Sequence, residues 1–408
     1  MLTKYKLREL IDVTRGMSLP GEYYSETGEL IRLTMGNFNY TGGGFKENTS
    51  KTDIYYTGPV RDEYILKKGD IITPLTEQAI GLLGTTAMIP ESDKYIQSQD
   101  VALITCKEDK LDHLFCYYLI SSDIVKKQLS AAAQQTKIRH TSPDKIMDCT
   151  VWIPEMSVQK RIGKTLYDID QKISLNTRMN AELEAMAKQL YDYWFVQFDF
   201  PDENGNPYKS SGGKMVYNST LKREIPAGWE IKPLRDLLIL EDSRRIPLSN
   251  KERENRKGIY PYYGATGIMD YVDNYIFDGD FLLLAEDGST SDENGNPVVQ
   301  YIWGKNWVNN HAHIIHVGSE NILQYYYFLL KTIPVVLIET GSIQKKISQD
   351  NLLAYSTVCP PESKIEEYCN IASSFREKQK NVIDEIKYFT HLRDSLLPML
   401  MNGQVTVE

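Results

Sequence analysis

Between Glu155 and Phe195 a stripe recurs at Ile162, Leu166, Ile169, Ile173, Asn176, Asn180, Leu183, Ala187, Leu190 and Trp194. Its steps alternate between four and three, the pattern of a coiled-coil seam with a mean period of about 3.5 residues. After Gly163 no Gly or Pro interrupts it. A helix of about 40 residues rises roughly 60 Å at about 1.5 Å per residue, more than the width of a small domain. Such a helix separates other bodies.

A second seam lies near the end of the chain. After Pro361 it reads Ile365, Tyr368, Ala372, Phe375, Gln379, Val382, Ile386, Phe389, Arg393 and Leu396, and it is expected to stop near Pro398. Each seam follows a copy of the same landmarks. Leu7-Arg-Glu-Leu recurs as Leu234-Arg-Asp-Leu, and Gly69-Asp-Ile-Ile as Gly279-Asp-Phe-Leu. Lys137-Ile recurs as Lys346-Ile, and Ile153-Pro-Glu as Pro360-Pro-Glu. The interval from Gly69 to Ile138 and that from Gly279 to Ile347 differ by a single residue. Order and spacing together indicate a large internal duplication. The two helices then hold equivalent positions, and each wants a partner. Antiparallel pairing of one with the other is the simplest solution, with a globular unit at either end.

Within each copy, β-branched runs predict strands at Asp70–Thr73, Val101–Thr105, Phe281–Leu284 and His313–Val317. Helical patterns follow at Leu111–Ser121 and Ile322–Lys331. The class is α+β: two similar globular domains separated by two long helices pairing as an antiparallel coiled coil. The expected boundaries are 1–154 for the first domain, 155–198 for the spacer helix and 199–233 for a turn-rich connector. The second domain takes 234–360, and the distal helix and tail take 361–408.

At 41% hydrophobic and 25% charged residues, the chain can bury proper cores. No apolar window approaches the roughly 18 residues of a membrane span. The start, Met1-Leu-Thr-Lys-Tyr-Lys-Leu, has no apolar run behind its lysines, so a cytoplasmic location is expected. The five cysteines form no C-x-x-C pair and read as reduced, buried thiols, with a zinc site the weaker alternative. A net charge of −9 argues mildly against nucleic acid but permits a local basic patch.

Catalytic signatures fail. Asn206-Pro-Tyr lacks one proline of an adenine methyltransferase motif, and Pro360-Pro361 has Cys before and Glu after it. There is no phosphate-binding Gly-x-x-x-x-Gly-Lys-(Ser/Thr) loop. Asp292-Glu-Asn-Gly-Asn-Pro reads as a hairpin turn rather than a nuclease cluster. His311 and His313 share one face of a strand; without a third ligand they read as structural, and no metal is expected. A recognition protein fits these residues better than a stand-alone enzyme or a non-DNA scaffold on a duplicated domain.

One stretch narrows the choice. Leu190-Tyr-Asp-Tyr-Trp-Phe-Val-Gln-Phe-Asp-Phe-Pro, then Asn204-Gly-Asn-Pro-Tyr-Lys-Ser-Ser-Gly-Gly-Lys-Met and Ile225-Pro-Ala-Gly-Trp, closely resemble the central region of specificity (S) subunits of type I restriction-modification enzymes. The resemblance covers the whole chain. It implies that each globular copy is a target recognition domain reading one half of a split double-stranded DNA sequence. It also implies that the helices set the spacing and dock methyltransferase (M) subunits, two by the pseudo-symmetry, with restriction and translocation (R) subunits joining them. S-adenosylmethionine, ATP and Mg2+ are then expected on partner subunits and no cofactor on this chain.

Tyr262-Tyr-Gly-Ala-Thr-Gly-Ile, Asn309-Asn-His-Ala-His and Gly341-Ser-Ile-Gln-Lys-Lys-Ile resemble recurring segments of these domains; the first copy has Arg32-Leu-Thr-Met-Gly-Asn-Phe in place of the tyrosine segment. The expected DNA contacts in the first copy are Gln134, Gln135, Thr136, Lys137, Arg139 and His140. In the second they are Arg244, Arg245, Tyr262, Tyr263, Thr266, Ser342, Gln344, Lys345 and Lys346. Gln and Arg can address adenine and guanine bidentately, and Lys and Thr suit phosphate. A solvated polar loop explains the first set, and a salt-bridged segment explains Arg244 and Arg245, by ordinary surface chemistry. For partner docking the candidates are the polar seam residues Asn176 and Asn180 and the aromatic block Tyr191, Trp194 and Phe195; core packing is the alternative for the block.

Overall fold

The computed structural model describes residues 2–39, 43–77, 81–132, 139–341 and 345–407. It divides into two compact units, Met1–Thr177 with Ile383–Glu408, and Arg178–Val382. Each long helix contributes one part to each unit. The first, Met156–Tyr191, ends in a wider π turn over Asp192–Val196. The second, Glu362–Met401, continues through Pro398 instead of stopping there. A proline inside a helix costs about 3 kcal/mol. Beyond it, Leu400 and Met401 are buried in the first unit's core, and burying such side chains is worth about 1.5–3 kcal/mol each. Tertiary packing outweighs the local penalty.

The duplicated landmarks fold alike. In the first unit Leu7–Glu9 forms a 3-10 turn that Leu10 closes at φ −116°, ψ −29°. The Leu7 N–H donates to Cys149 O at 2.9 Å. In the second unit Leu234–Asp236 makes the same turn, closed by Leu237 at φ −117°, ψ −29°, and the Leu234 N–H donates to Tyr355 O at 2.8 Å. Both turn leucines are fully buried.

The first unit's main sheet is antiparallel in the order Ile11–Arg15, Val101–Cys106, Ile71–Pro74, Ala87–Met88. The second's runs Ile239–Leu240, Ala312–His316, Phe281–Ala285, Val299–Ile302, again antiparallel. The predicted strands are thus present to within a residue or so at each end, and the predicted helices are His113–Ser121 and Leu323–Leu330. Each unit also pairs its opening strand with the strand before a long helix: Thr3–Lys6 with Thr150–Ile153, and Glu230–Pro233 with Ser356–Cys359. A second four-stranded sheet in each unit holds one parallel pair, Leu30–Arg32 beside Tyr95–Ile96 and Lys257–Tyr263 beside Lys305–Val308.

Within each unit the two helix segments run antiparallel, and every predicted seam position is buried or half-buried. In the first unit Arg393 Nη1 donates to Asp170 Oδ1 at 3.0 Å, and Asn176 Nδ2 donates to Glu385 Oε2 at 2.8 Å. In the second, Gln379 Nε2 donates to Asn180 O at 3.2 Å, and Tyr368 Oη donates to Ala187 O at 3.1 Å. The polar seam residues expected to face a partner subunit therefore face the opposite helix. A buried amide needs its hydrogen bonds met; the facing helix accepts from the Asn176 and Gln379 amide nitrogens, whereas Gln379 Oε1 is buried without a partner.

The turn-rich segment after the first helix adds core as well as connection. Met215–Asn218 and Arg223–Pro226 form a hairpin. Phe198, Phe200, Ile225 and Trp229 are buried in the second unit, with Phe200 stacked between Tyr208 and Trp229 at 4.6 and 5.1 Å. Among the described residues no helix is long and apolar enough to cross a membrane.

Candidate nucleic-acid interface

In both units a carboxylate just past the central strand of the main sheet gathers the cations. In the first unit Glu77 follows Ile71–Pro74 and is 2% exposed. Its Oε2 accepts three successive backbone N–H groups, from Gly81, Leu82 and Leu83, at 2.9–3.1 Å. Its Oε1 pairs with Arg139 Nη1 at 2.9 Å. Arg139 also donates to Ser130 O and Oγ. A buried carboxylate is tolerated because backbone dipoles and a guanidinium fill its lone pairs. Arg139, expected to read a base, is turned inward by these bonds, whereas His140 beside it is exposed. Gln134, Gln135, Thr136 and Lys137 lie outside the described residues, as do Ser342 and Gln344 in the second unit.

The strand Arg139–His140 pairs with Thr76–Glu77 and leads into a helix capped by Ser142. In the second unit Lys346–Ile347 pairs with Glu339–Thr340 and leads into a helix capped by Ser348. By these caps, the counterpart of Lys346-Ile347 is His140-Thr141, three residues beyond the Lys137-Ile138 that sequence similarity aligns with it.

In the second unit Glu286 follows Phe281–Ala285. Arg245 Nη1 donates to its Oε2 at 2.7 Å, and Lys346 Nζ lies 2.9 Å from its Oε1. Burial opposes ionisation of Glu286, but the hydrogen bonds from Arg245 and Lys346 hold its carboxyl below the usual range. Next to it Asp242 accepts from His313 Nδ1 at 2.6 Å, Gln349 Nε2 at 2.6 Å and the Ile314 N–H at 2.8 Å. Burial again opposes ionisation and these bonds win, so its carboxyl is held low. Asp242, Glu286 and His313 stand close enough to share a metal ion, a set that leaves out His311, the other histidine of the pair noted in the sequence. Their lone pairs, however, already face Arg245, Lys346, Gln349 and a backbone N–H, and His313 Nε2 is bonded to Ile347 O at 2.8 Å. The protein's own cations satisfy this acidic set.

Arg245 is therefore a buried strut, 13% exposed at its side chain. Lys345 and Lys346 are half-exposed at 51% and 52%, each with one carboxylate partner. Arg244 lies over the Phe277 ring and pairs with Glu241. Tyr262 is core rather than surface: it is 1% exposed and its hydroxyl accepts the Leu248 N–H at 2.9 Å. Tyr263 packs against a small core beside it. Thr266 is exposed at the tip of a tight turn closed by the Gly264 N–H on Gly267 O at 2.8 Å.

These pieces join into one rim. The Asn309 N–H donates to Tyr263 O at 3.0 Å, and the Glu286 N–H donates to His311 O at 2.9 Å. His311 Nδ1 meets Asp287 Oδ1 at 2.8 Å, and Asp287 bridges to Lys346. Thr266, Asn310, His311 and Lys346 thus line consecutive parts of the same edge, and Asn310 and His311 are exposed. The sequence grouped His311 with His313 as structural; only His313 is buried, because it lies inside the strand Ala312–His316 while His311 lies in the turn before it.

The aromatic block forms core. Tyr191, Trp194 and Phe195 are buried among Tyr325, Phe328, Tyr368 and Trp229. Beside them, Met186, Tyr193, Ile371 and half-buried Phe375 line an open groove of about 770 Å³ in the same unit.

The family model for "Type I restriction modification DNA specificity domain" matches the chain twice, over residues 2–185 and 226–388. An inferred type I restriction enzyme specificity subunit of Haemophilus influenzae is 32% identical over 151 residues, which is 36% of this chain and 38% of that protein. The type I restriction enzyme MjaIX specificity subunit of Methanocaldococcus jannaschii is 24% identical over 315 residues, 72% of this chain and 69% of that one. Among solved structures, a type I restriction-modification S subunit from M. genitalium has the same fold, with a TM-score of 0.62 at 16% identity, covering 98% of this chain and 96% of its own.

Proposed function

The chain belongs to the type I restriction-modification DNA specificity family, whose members specify a DNA target and do not catalyse; from that premise we propose how this one divides the task. Domains 1–154 and 234–360 each read one half of a bipartite double-stranded site. The observation that carries this reading is the duplication itself: one sheet order, one opening turn and one carboxylate-centred rim, each used twice. In the second domain Lys345 and Lys346 neutralise phosphates, while Thr266, Asn310 and His311 meet base edges. In the first, His140 and the polar segment 134–137 take the corresponding roles.

The helices at 155–198 and 361–408 set the spacing, and segment 199–233 returns the chain between the domains. Two methyltransferase subunits dock on the helices, one of them at the groove of Met186, Tyr193, Ile371 and Phe375, and the restriction subunits join that core. S-adenosylmethionine, ATP and Mg2+ belong to those partners. The spacing role is tested by inserting four residues beside Asn176, about one helical turn, and sequencing the methylated sites in a host that expresses the complex. The gap between the two half-sites should change while both half-sites stay the same. An unchanged gap would remove the ruler.

A further inference from the structure

In the second unit one exposed part of the rim is apolar. Val336 and Leu337 are 70% and 63% exposed, the most exposed adjacent pair of large apolar residues among the described ones. Aliphatic residues scattered singly over a surface are ordinary, but these two stand together on a turn that holds them fixed. Val335–Leu337 makes a single 3-10 turn, closed by the Leu337 N–H on Pro334 O and the Ile338 N–H on Val335 O, both at 3.0 Å. On either side of the exposed pair, Val335 and Ile338 are buried in the unit's largest core. The Val335 N–H also donates to Gly295 O at 2.9 Å. Two buried anchors and a closed backbone thus present two aliphatic side chains to solvent, with little backbone freedom left to lose on binding.

The turn runs directly into the part of the rim that carries the lysines. Beyond Ile338, Glu339 begins the strand that pairs with Lys346–Ile347. Glu339 Oε1 holds Lys345 Nζ at 2.8 Å, and its Oε2 accepts from Thr290 Oγ1 at 3.3 Å. The aliphatic pair and the two half-exposed lysines are therefore carried by the same strand pair. The first unit differs at this place. Counting back from the serine caps, Val336 and Leu337 fall opposite Ser130 and Ala131, exposed residues near the end of the helix Asp123–Ala132. Neither has the apolar bulk of its counterpart.

We propose that Val336 and Leu337 form an apolar wedge that enters the stack between two adjacent base pairs of the second domain's half-site, while Lys345 and Lys346 hold phosphates beside it. This rests on the reading of the rim as the DNA face. The step it parts is pyrimidine–purine, TA or CA/TG, because such steps unstack and kink most easily. Parting a step costs stacking energy, and burying two aliphatic side chains against the bases offsets it. The step is selected by its deformability, with no hydrogen bond to a base edge. The wedge therefore adds a specificity element to one half-site only.

The test uses the complex assembled with its methyltransferase subunits, on a duplex carrying the motif that it methylates. Unstacked thymines are mapped with potassium permanganate, and every TA or CA/TG step contains one. A methyltransferase turns its target adenine out of the stack, so the thymines opposite the methylated adenines report engagement of both half-sites. One further reactive step should appear, in the half-site that changes when residues 234–360 are exchanged. In the double variant Val336→Ser, Leu337→Ser that step should fall to the reactivity of free duplex, and affinity for the motif should fall about tenfold. The thymines opposite the methylated adenines should stay reactive. Leu337→Met, which keeps the apolar bulk, should retain the signal. No further reactive step in the unaltered complex, or one that survives the double substitution, would overturn the wedge and leave the half-site reading standing. A double variant that no longer assembles with methyltransferase subunits would also overturn it, and would assign the turn to a subunit interface. An unaltered complex indifferent to both half-sites would overturn the reading beneath it.

Discussion

The two units share a frame and differ at its rim. In both, a carboxylate follows the strand next to the middle of the main sheet and anchors an arginine. In the first the pair is Glu77 with Arg139, and the arginine arrives on the returning strand before the Ser142-capped helix. In the second the pair is Glu286 with Arg245, and the arginine comes from the 3-10 turn that follows the sheet's first strand, Ile239–Leu240. Glu77 spends its other oxygen on three backbone N–H groups, whereas Glu286 gives its second oxygen to half-exposed Lys346. The lesson is that the duplicated residues maintain the sheet and the turn, and the side chains at its end diverge. That is the division expected of two readers addressing different half-sites.

The difference can be broken most severely at Glu77. Glu77→Ala strands Arg139 and three backbone donors in a dry site, and the expected loss of stability is about 3–5 kcal/mol. Denaturant unfolding should show this loss in the first unit, with Glu77→Gln, which keeps an acceptor, losing clearly less. An equal loss for both would mean that the charge pair, and not the backbone acceptor, holds this rim.

Acid should separate the units by a smaller margin. Glu184, Asp242 and Glu286 all lie in the second unit; burial opposes ionisation of each, but the charges of Arg376 and Lys331 at Glu184, and hydrogen bonds at Asp242 and Glu286, hold the carboxyl low. A carboxyl lowered by folding stabilises the native state above its unfolded pKa, and that stability is lost as pH falls through the folded value. Below about pH 4.5, the ordinary glutamate value, the second unit should lose protection against hydrogen exchange before the first. Simultaneous loss would make these networks irrelevant to the acid limit.

The smallest effect belongs to Lys346→Ala. At its half-exposed position the stability change should stay within about 1 kcal/mol. If this lysine neutralises a phosphate, the slope of log affinity against log salt should fall by about 0.9, measured on the assembled complex. An unchanged slope would assign Lys346 to Glu286 alone.

What was legible in the sequence was what is decided locally. The same hexapeptide, Asp-Glu-Asn-Gly-Asn-Pro, occurs at Asp202 and at Asp292. Both copies fold into one turn, with the aspartate carboxylate accepting two N–H groups and the glycine at φ +81° or +77°. Positive φ is easy only for glycine, so this turn is written in its residues. The seam periodicity and the Leu-Arg-(Glu/Asp)-Leu turns are equally local. Exposure is not local. Arg245, Tyr262 and Trp194 have the residue types of a binding surface, yet each is buried by elements distant in sequence. Asn176 looked like a surface for a partner because Glu385, which satisfies it, lies on the other helix. The rim itself was half legible: Lys345 and Lys346, singled out by type, are half-exposed, whereas the exposure of His311 was missed because its spacing from His313 suggested one shared role.

The central claim, that each unit reads one half-site, is tested most directly by exchanging residues 1–150 for the corresponding part of another family member. The methylated sequence in the host genome is then read before and after. One half of the split motif should change, while the other half and the gap remain. A change in both halves, or in neither, would contradict the account.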